Sequence, residues 1–445
     1  MLKRKAEKYI NEWIRNPRRA CLISGARQVG KTFSIRKCLN ENGCRYLEIN
    51  LILNPEYIRA LELSITLDDL KFNLSALTDF SFVDNETYLF VDEVQKYPDI
   101  MTKIKFWVDD GRIKFIMSGS LLGIELKNLR SAPVGYLDEY DMYPLDFEEF
   151  IRASGVTEEV IGLLRDCYER RVAVPEVVNT RMMNHLTRYL VIGGMPAAVE
   201  AYVERGNVGE VTLIQENIIR QYKVDFTQYE TEDKKLMLNA IYDQIPSQLL
   251  KQNKRFNYCD IQQKLRFEKL ESSFLWLKYA GVAIAATNVT EPRIALRQNE
   301  KSSLLKLYSS DVGLLTSQYG NIFRSKLLFG EEKLNLGGVY ENFVAQELNG
   351  HGYPVYFYCS HNIGELDFVI EHGGSVVPIE VKSGKDYRTH SAISKTVSTE
   401  EYGVEEAYVF APGNVEKDGK IIYFPAYMAT FVRDEVEFPT LSLPL

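Results

Sequence analysis

Residues 25 to 32 of the sequence read GARQVGKT, a glycine-containing stretch that ends in a lysine and a threonine. The spacing matches the GxxxxGK(S/T) pattern of phosphate-binding loops. In such a loop, backbone N–H groups surround the phosphates, the lysine adds a cation at the terminal phosphates, and the hydroxyl group binds Mg²⁺. The predicted binding residues are Gly25, Ala26, Arg27, Gln28, Val29, Gly30, Lys31 and Thr32. This stretch predicts a site for a nucleoside triphosphate, in which Lys31 also has a catalytic role.

A second polar group, Asp92 and Glu93, ends the apolar run YLFVDEV. Acids at the end of a buried strand lose much of their hydration unless a metal ion or hydrogen bonds compensate. We predict that Asp92 binds Mg²⁺ together with Thr32, and that Glu93 is the base that orients the attacking water. A strand that ends in two solvated acids is the alternative interpretation.

Two further features bear on hydrolysis. The run KFIMSGS ends in Ser118 and Ser120, and a hydroxyl group there could sense the γ-phosphate. A small polar turn explains these serines almost equally well. Hydrolysis commonly needs an additional cation on the transition state, for which Arg27 and Arg130 are candidates.

The stretch GELDFVIEHGGSVVPIEVKSGK, near the other end of the chain, has the residue types of a metal-dependent nuclease. Asp367 and Glu380 on neighbouring strands could hold one metal ion, with Glu341 as a further ligand. Lys382 shares a face with Glu380 because side chains alternate along a strand, and its role would be to position or deprotonate water. A hairpin with outward-facing charges is the alternative.

The elements that must position these residues follow from the hydrophobic pattern. Apolar runs alternate with amphipathic helices up to about residue 155, which is typical of a doubly wound parallel sheet. The fold class is therefore α/β. We predict a P-loop ATPase domain at 1–155, a helical lid or connector at 156–245, a winged-helix-like domain at 246–330 and a nuclease-like α/β domain at 331–445.

Composition narrows the class of protein. A chain of 445 residues with a hydrophobic share of 45% and a net charge of −8 is typical of a folded, multidomain globular protein. Its acidic balance argues against a chain-wide electrostatic grip on nucleic acid. No apolar run approaches the length of a membrane span, which is about 18 residues or more. We expect a cytoplasmic protein with reduced cysteines and without membrane contact.

A local basic cluster in the predicted winged helix offers one nucleic-acid contact. Its members are Lys251, Lys254, Arg255, Lys264, Arg266 and Lys269. A solvated helical face accounts for such charges about as often as nucleic acid does. We favour a winged helix with a structural or protein-contacting role and keep DNA as the alternative.

With these residues located, the sequence resembles AAA-type P-loop ATPases of bacteria and archaea that carry a C-terminal domain called DUF4143. The ATPase resemblance rests on GARQVGKT, YLFVDEVQ, IMSGSLL and YPLDFEEF. The DUF4143 resemblance rests on YLVIGGMPAAV, NKRFNYCDI, FLWLKYAGV, LYSSDVGLL, YENFVAQEL, GELDFVIE and PIEVKSG. It implies ATP binding and hydrolysis, followed by a winged helix and a PD-(D/E)XK nuclease-like fold. Where the family often has a Gly-Arg pair, this chain has Gly135 and Tyr136, so no arginine role transfers to that point.

The expected cofactors are ATP and Mg²⁺, and the expected activity is that of an ATP hydrolase acting as a switch or motor. In this interpretation the C-terminal domain binds or cleaves DNA or RNA. The alternative is a nucleotide-gated regulatory protein that contacts a protein partner through a vestigial nuclease fold. A nuclease whose access is controlled by the ATPase is a third hypothesis, and each of them is compatible with an oligomer.

Overall fold

The computed structural model describes residues 2–120, 135–228, 232–257, 267–331 and 334–433. The chain divides into two compact units, one formed by 1–143 with 275–282 and the other by 144–274 with 283–445. The predicted phosphate loop lies in the first unit, and the predicted C-terminal acids lie in the second.

The helices and strands of the described residues have these bounds. The α-helices are α1 (Lys5–Arg15), α2 (Lys31–Glu41), α3 (Glu56–Leu63), α4 (Leu67–Thr78), α5 (Ile100–Asp110), α6 (Phe147–Ala153), α7 (Glu158–Arg170), α8 (Glu176–Ile192), α9 (Pro196–Arg205), α10 (Val208–Gln228), α11 (Glu232–Leu249), α12 (Phe267–Tyr279), α13 (Val312–Gln318), α14 (Asn321–Leu328), α15 (Gly337–Gly350) and α16 (Ser391–Ser398). The strands are β1 (Ala20–Ser24), β2 (Arg45–Asn50), β3 (Thr87–Asp92), β4 (Lys114–Ser118), β5 (Leu137–Asp141), β6 (Ala283–Val289), β7 (Glu300–Ser309), β8 (Tyr356–Ser360), β9 (Gly364–His372), β10 (Ser375–Val381), β11 (Ala407–Ala411), β12 (Glu416–Asp418) and β13 (Ile421–Pro425).

The first unit is built on a five-stranded sheet in the order β2-β3-β4-β1-β5, and its neighbouring strands are all parallel. Successive side chains of a strand point to opposite faces, so the apolar runs supply two cores. Leu22, Leu89 and Val91 join one hydrophobic cluster, whereas Ile23 and Phe90 join another. The predicted α/β sheet with apolar layers on both faces is confirmed.

The carboxyl ends of the strands coincide at one edge of this sheet. Asn50 pairs with Asp92, Asp92 pairs with Ser118, and Ser118 pairs with Ile23 of β1. Asn50, Asp92 and Ser118 are each the last residue of their strand. In open parallel sheets this edge is where ligands bind.

The second unit combines helices with an eight-stranded mixed sheet in the order β12-β13-β11-β10-β9-β8-β6-β7. The helical middle of the chain and the C-terminal α/β sheet are both confirmed. Within the sheet, β6 pairs with β7 in antiparallel fashion and with β8 in parallel fashion. Two strands from the segment predicted as a winged helix therefore continue the sheet of the nuclease-like segment. The division into four domains stays a prediction.

Some predicted residues fall outside the described part of the chain. These are Arg130, Lys264 and Arg266, and the side chain of Lys269 is not described either. Among the described residues, no helix is both long enough and apolar enough to span a bilayer.

Candidate functional site

The phosphate loop connects β1 to α2. Its backbone has positive φ angles at Gly25 (138°), Gln28 (65°) and Gly30 (98°), the last of which caps α2. Glycine is required at the first position, since a Cβ on Gly25 would lie 2.1 Å from the carbonyl oxygen of Met142. Turns of this kind direct successive N–H groups into one concavity that suits an anion. The loop therefore has the backbone expected of a phosphate site at the N-terminus of a helix.

Lys31 is the buried cation of the loop. Its Nζ donates to the carbonyl oxygens of Gly25 at 3.0 Å and Ala26 at 2.7 Å. Burial lowers the pKa of Lys31 to about 8, and the negative charges of Glu93 and Asp92 oppose this decrease. An added phosphate would supply the negative charge that holds the ammonium group protonated.

Asp92 is the centre of a polar network at the strand ends. Its carboxylate accepts hydrogen bonds from Thr32 Oγ1 at 3.2 Å, from Asn50 Nδ2 at 3.0 Å and from the hydroxyl of Ser118. Asp92 is 4% exposed. The structure thus brings together Thr32, Asp92 and Ser118, which are all predicted site residues, and adds Asn50, which the sequence analysis missed.

Glu93, the predicted base, follows β3 in the left-handed region with a φ of 61°. This conformation is uncommon for a residue other than glycine, so the surrounding structure must hold it in place. Gln95 donates one hydrogen bond to the Glu93 carboxylate and another to Ser120 Oγ at 3.2 Å. Gln95 therefore links the Glu93 carboxylate to Ser120, which follows β4, and the sequence analysis did not identify Gln95.

The predicted C-terminal residues meet where β9 and β10 pair. The backbone N–H of Val381 donates to Asp367 Oδ2 at 2.8 Å, and Lys382 Nζ donates to Glu380 Oε1 at 2.7 Å. Burial, reinforced by the charge of Asp367, raises the pKa of Glu380 to about 8, although the ammonium of Lys382 opposes the increase. Asp367, Glu380 and Lys382 are therefore neighbours, as predicted.

Glu341 approaches the same cluster from α15 and is 2% exposed. Its carboxylate forms an ion pair with Lys254 and accepts a hydrogen bond from the hydroxyl of Tyr308 at 3.3 Å. Burial and the charge of Asp367 raise the pKa of Glu341, and the two nearby lysines oppose this. Lys254, a member of the basic cluster for which DNA contact was the alternative interpretation, is thus the partner of this acid.

Lys306 is a second lysine in this cluster, and the sequence analysis did not identify it. Its side chain is 1% exposed, and its Nζ lies 2.8 Å from Glu365 Oε1, 3.9 Å from Glu341 Oε2 and 3.9 Å from Asp367 Oδ1. The acids outweigh the effect of burial and raise the pKa of Lys306. Its only signal in the sequence is a lysine within the apolar run LLKLY. A protein cation therefore lies between the acids that were predicted to face a metal ion.

The spacing of the predicted metal ligands also differs from that of a metal site. In the described residues, Glu341, Asp367 and Glu380 do not place three ligand atoms within 4.8 Å of one another. The set of Lys254, Lys306 and Lys382 supplies one ammonium group for each of these carboxylates. The cluster as it stands is an internal ion-pair network.

Profiles of known protein families match both the region of the phosphate loop and the region of the C-terminal acids. The profile of an AAA domain matches residues 17–151, and that of DUF4143, a domain of unknown function, matches residues 336–427. The chain carries an AAA domain at its N-terminus and a DUF4143 domain at its C-terminus. Between them, residues 183–323 match another domain of unknown function, DUF8612. The middle motifs that we assigned to the DUF4143 resemblance, such as YLVIGGMPAAV, lie in that third match.

Solved structures give more distant similarities. A Walker-type ATPase of Pyrococcus abyssi matches with 16% identity and a TM-score of 0.43, over 72% of this chain and 96% of the other. A structure described as the structural basis for katanin self-assembly matches with 14% identity and a TM-score of 0.24, over 36% of this chain and 57% of the other. Among curated proteins, no relative matches.

The basic residues beside the DUF4143 domain also have internal partners. Lys254 pairs with Glu341 of that domain, and Arg255 Nε lies 3.5 Å from Glu365 Oε2. Two members of the predicted basic cluster are therefore directed towards acids of their own chain. This arrangement favours the structural interpretation of these charges over a contact with DNA.

Proposed function

We propose that the protein binds ATP and hydrolyses it with Mg²⁺, and that the AAA domain acts as a switch or motor. One observation carries the proposal. Thr32 of the phosphate loop, Asp92 of β3 and Ser118 of β4 share one hydrogen-bond network at the carboxyl edge of the sheet. Three separate segments thus place their polar groups beside the loop that suits a phosphate.

Each residue has a distinct part in this proposal. The loop N–H groups and Lys31 bind the phosphates, and the oxygen atoms of Thr32 and Asp92 suit Mg²⁺, which prefers oxygen ligands. Bound Mg²⁺ neutralises charge that develops on the phosphate oxygens. Glu93 accepts a proton from, or orients, the attacking water, and Ser118 contacts the γ-phosphate side of the site.

The test compares Lys31→Ala with Lys8→Ala, a change at a lysine on α1 whose side chain is 84% exposed. ATP affinity is measured by titration of a fluorescent ATP analogue, and turnover by phosphate release. We expect Lys31→Ala to lose binding or turnover and Lys8→Ala to keep both. Normal ATPase activity in Lys31→Ala would refute the proposal.

A second candidate concerns the C-terminal domain. Because Lys254 and Lys306 pair with the predicted metal ligands, we favour a vestigial nuclease-like fold through which the ATPase acts on a protein partner. Ion pairs of this depth would have to break before a divalent ion could bind. The discriminating assay incubates labelled DNA and RNA with Mg²⁺ or Mn²⁺, with and without ATP, and compares wild type with Asp367→Ala. Cleavage that disappears in Asp367→Ala would establish the nuclease instead.

A further inference from the structure

A histidine and two acids of the second unit bring three ligand atoms together at a place outside both sites described above. Asp146 is the N-terminal cap of α6, Glu347 lies in the last turn of α15, and His351, four residues further on, caps the C-terminal end of α15. His351 Nε2 is 3.4 Å from Asp146 Oδ2 and 3.9 Å from Glu347 Oε2. All three atoms lie within 4.8 Å of one another.

Backbone groups hold both carboxylates in place. Asp146 Oδ1 accepts a hydrogen bond from the N–H of Glu149 at 2.8 Å, and Glu347 Oε1 accepts one from the N–H of Phe147 at 2.9 Å. Each acid therefore has one oxygen fixed by the start of α6 and directs its other oxygen towards His351. Such preorganisation of ligands by surrounding groups is characteristic of metal sites.

The hydrogen bond of His351 Nδ1 determines whether Nε2 carries a proton or a lone pair in the neutral ring. His351 Nδ1 lies 2.9 Å from the carbonyl oxygen of Val432. A carbonyl can only accept a hydrogen bond, so Nδ1 carries the proton in the neutral ring. The lone pair of Nε2 then faces two carboxylate oxygens, and this arrangement requires either a further proton or a metal ion. Histidines that bind metals usually donate their other N–H to a carbonyl or carboxylate in this way.

The distance between His351 and Asp146 is the one that an ion would impose. Ligands about 2.1 Å from a tetrahedral ion are separated by about 3.4 Å, which equals the His351–Asp146 distance of 3.4 Å, while His351 and Glu347 are 3.9 Å apart. A charge-assisted N–H···O hydrogen bond is shorter, about 2.7–2.9 Å. Two carboxylates also suit a cation. Arg433 Nη2 is 3.6 Å from Asp146 Oδ2, and Arg433 pairs with Glu148 as well. A divalent ion would add positive charge beside Asp146 and Glu347.

We propose that Asp146, Glu347 and His351 bind one divalent transition-metal ion of the Zn²⁺ class. An imidazole with two carboxylates suits Zn²⁺, Co²⁺ or Mn²⁺, whereas Mg²⁺ and Ca²⁺ prefer oxygen ligands alone. His351 also lines a cavity of about 320 Å³ together with Tyr353 and Pro354. The ion fastens α6 to α15 within the second unit.

The test uses Co²⁺ alone, without nucleotide, added to full-length protein from which metals have been removed by chelation. We expect one equivalent of Co²⁺ to bind with visible d–d absorption, and Zn²⁺ to displace it. His351→Gln removes the absorption, whereas His361→Gln, a change at an exposed histidine, keeps it. Asp146→Asn is a second variant that retains a side-chain acceptor for the helix cap and removes the charge. It weakens Co²⁺ binding at least tenfold.

Thr32→Ala and Asp367→Asn separate this site from the two regions described above. Both variants should bind Co²⁺ as wild type does. The proposal is overturned if wild type binds no Co²⁺ at submillimolar concentration, or if His351→Gln and Asp146→Asn bind it unchanged. Loss of Co²⁺ binding in Thr32→Ala or Asp367→Asn would likewise overturn it, because the ion would then belong to another site.

Discussion

Replacement of Lys306 by methionine removes the buried cation of the C-terminal cluster. Methionine retains most of the apolar stem, so the main loss is the ammonium group that lies 2.8 Å from Glu365 and 3.9 Å from both Glu341 and Asp367. Breaking a buried ion pair from one side costs about 3–5 kcal/mol, since a charge is left uncompensated. Lys254 still pairs with Glu341. We therefore expect a loss near the lower end, about 3 kcal/mol.

The assay is equilibrium unfolding in urea, followed by far-UV circular dichroism, for wild type and Lys306→Met. Lys301→Met is the matched control, because Lys301 lies on the same strand and is exposed. Its free energy of unfolding should stay within about 0.5 kcal/mol of wild type. The double variant Glu341→Gln/Lys306→Met should lose less stability than the sum of the two single variants, since the charges interact.

Two results would refute this reasoning. If Lys306→Met unfolds at the same urea concentration as Lys301→Met, Lys306 does not neutralise the acids. If the double variant loses the full sum, Lys306 and Glu341 are energetically independent. Either outcome would remove the reason for regarding the cluster as an internal ion-pair network.

Three further predictions concern other parts of the molecule. Gly25→Ala should weaken ATP binding about tenfold or more in isothermal titration, since the new Cβ would lie 2.1 Å from a backbone oxygen of Met142; unchanged affinity would contradict the loop geometry. Thr66→Ala removes the side-chain cap of α4 and should lower the free energy of unfolding by about 1 kcal/mol in thermal or urea melts, and no loss would show that the cap is unimportant. Burial, followed by the charges of Arg188 and Arg181, lowers the pKa of His185 to about 4. The contribution of His185 to the free energy of unfolding is therefore complete above about pH 6.5 and is lost as the pH falls towards 4. His185→Gln should make the free energy of unfolding depend less on pH between these values. Parallel profiles of wild type and variant would refute this.

The arrangement of the candidate nucleotide site could be predicted because most of its information is local. The loop is one contiguous stretch, and Asp92 and Ser118 each end an apolar run, so a parallel sheet brings them to one edge. Asn50 and Gln95 were missed for a physical reason. Their importance depends on which strand lies next to β3 and on the turn at Glu93, and neither has a residue pattern of its own.

Only some members of the C-terminal cluster could be predicted from the sequence. Period-2 alternation predicted that Glu380 and Lys382 share a face, and Asp367 lies on β9, the strand that pairs with β10. Lys254 and Lys306 reach the same acids through tertiary pairing between segments that are distant in sequence. The alternation of polar and apolar residues along one strand does not indicate which distant lysine pairs with its acids. The parallel pairing of β6 with β8 likewise depends on contacts across a long connection.

One measurement tests most directly whether Glu93 and the phosphate loop form an ATP-hydrolysing site, as we propose. Steady-state phosphate release from MgATP is compared between wild type and Glu93→Gln, a change that preserves shape and removes the base. We expect turnover to fall about 100-fold or more, while the affinity for ATP stays close to that of wild type. Equal turnover in the two proteins, or no turnover in wild type, would contradict the account.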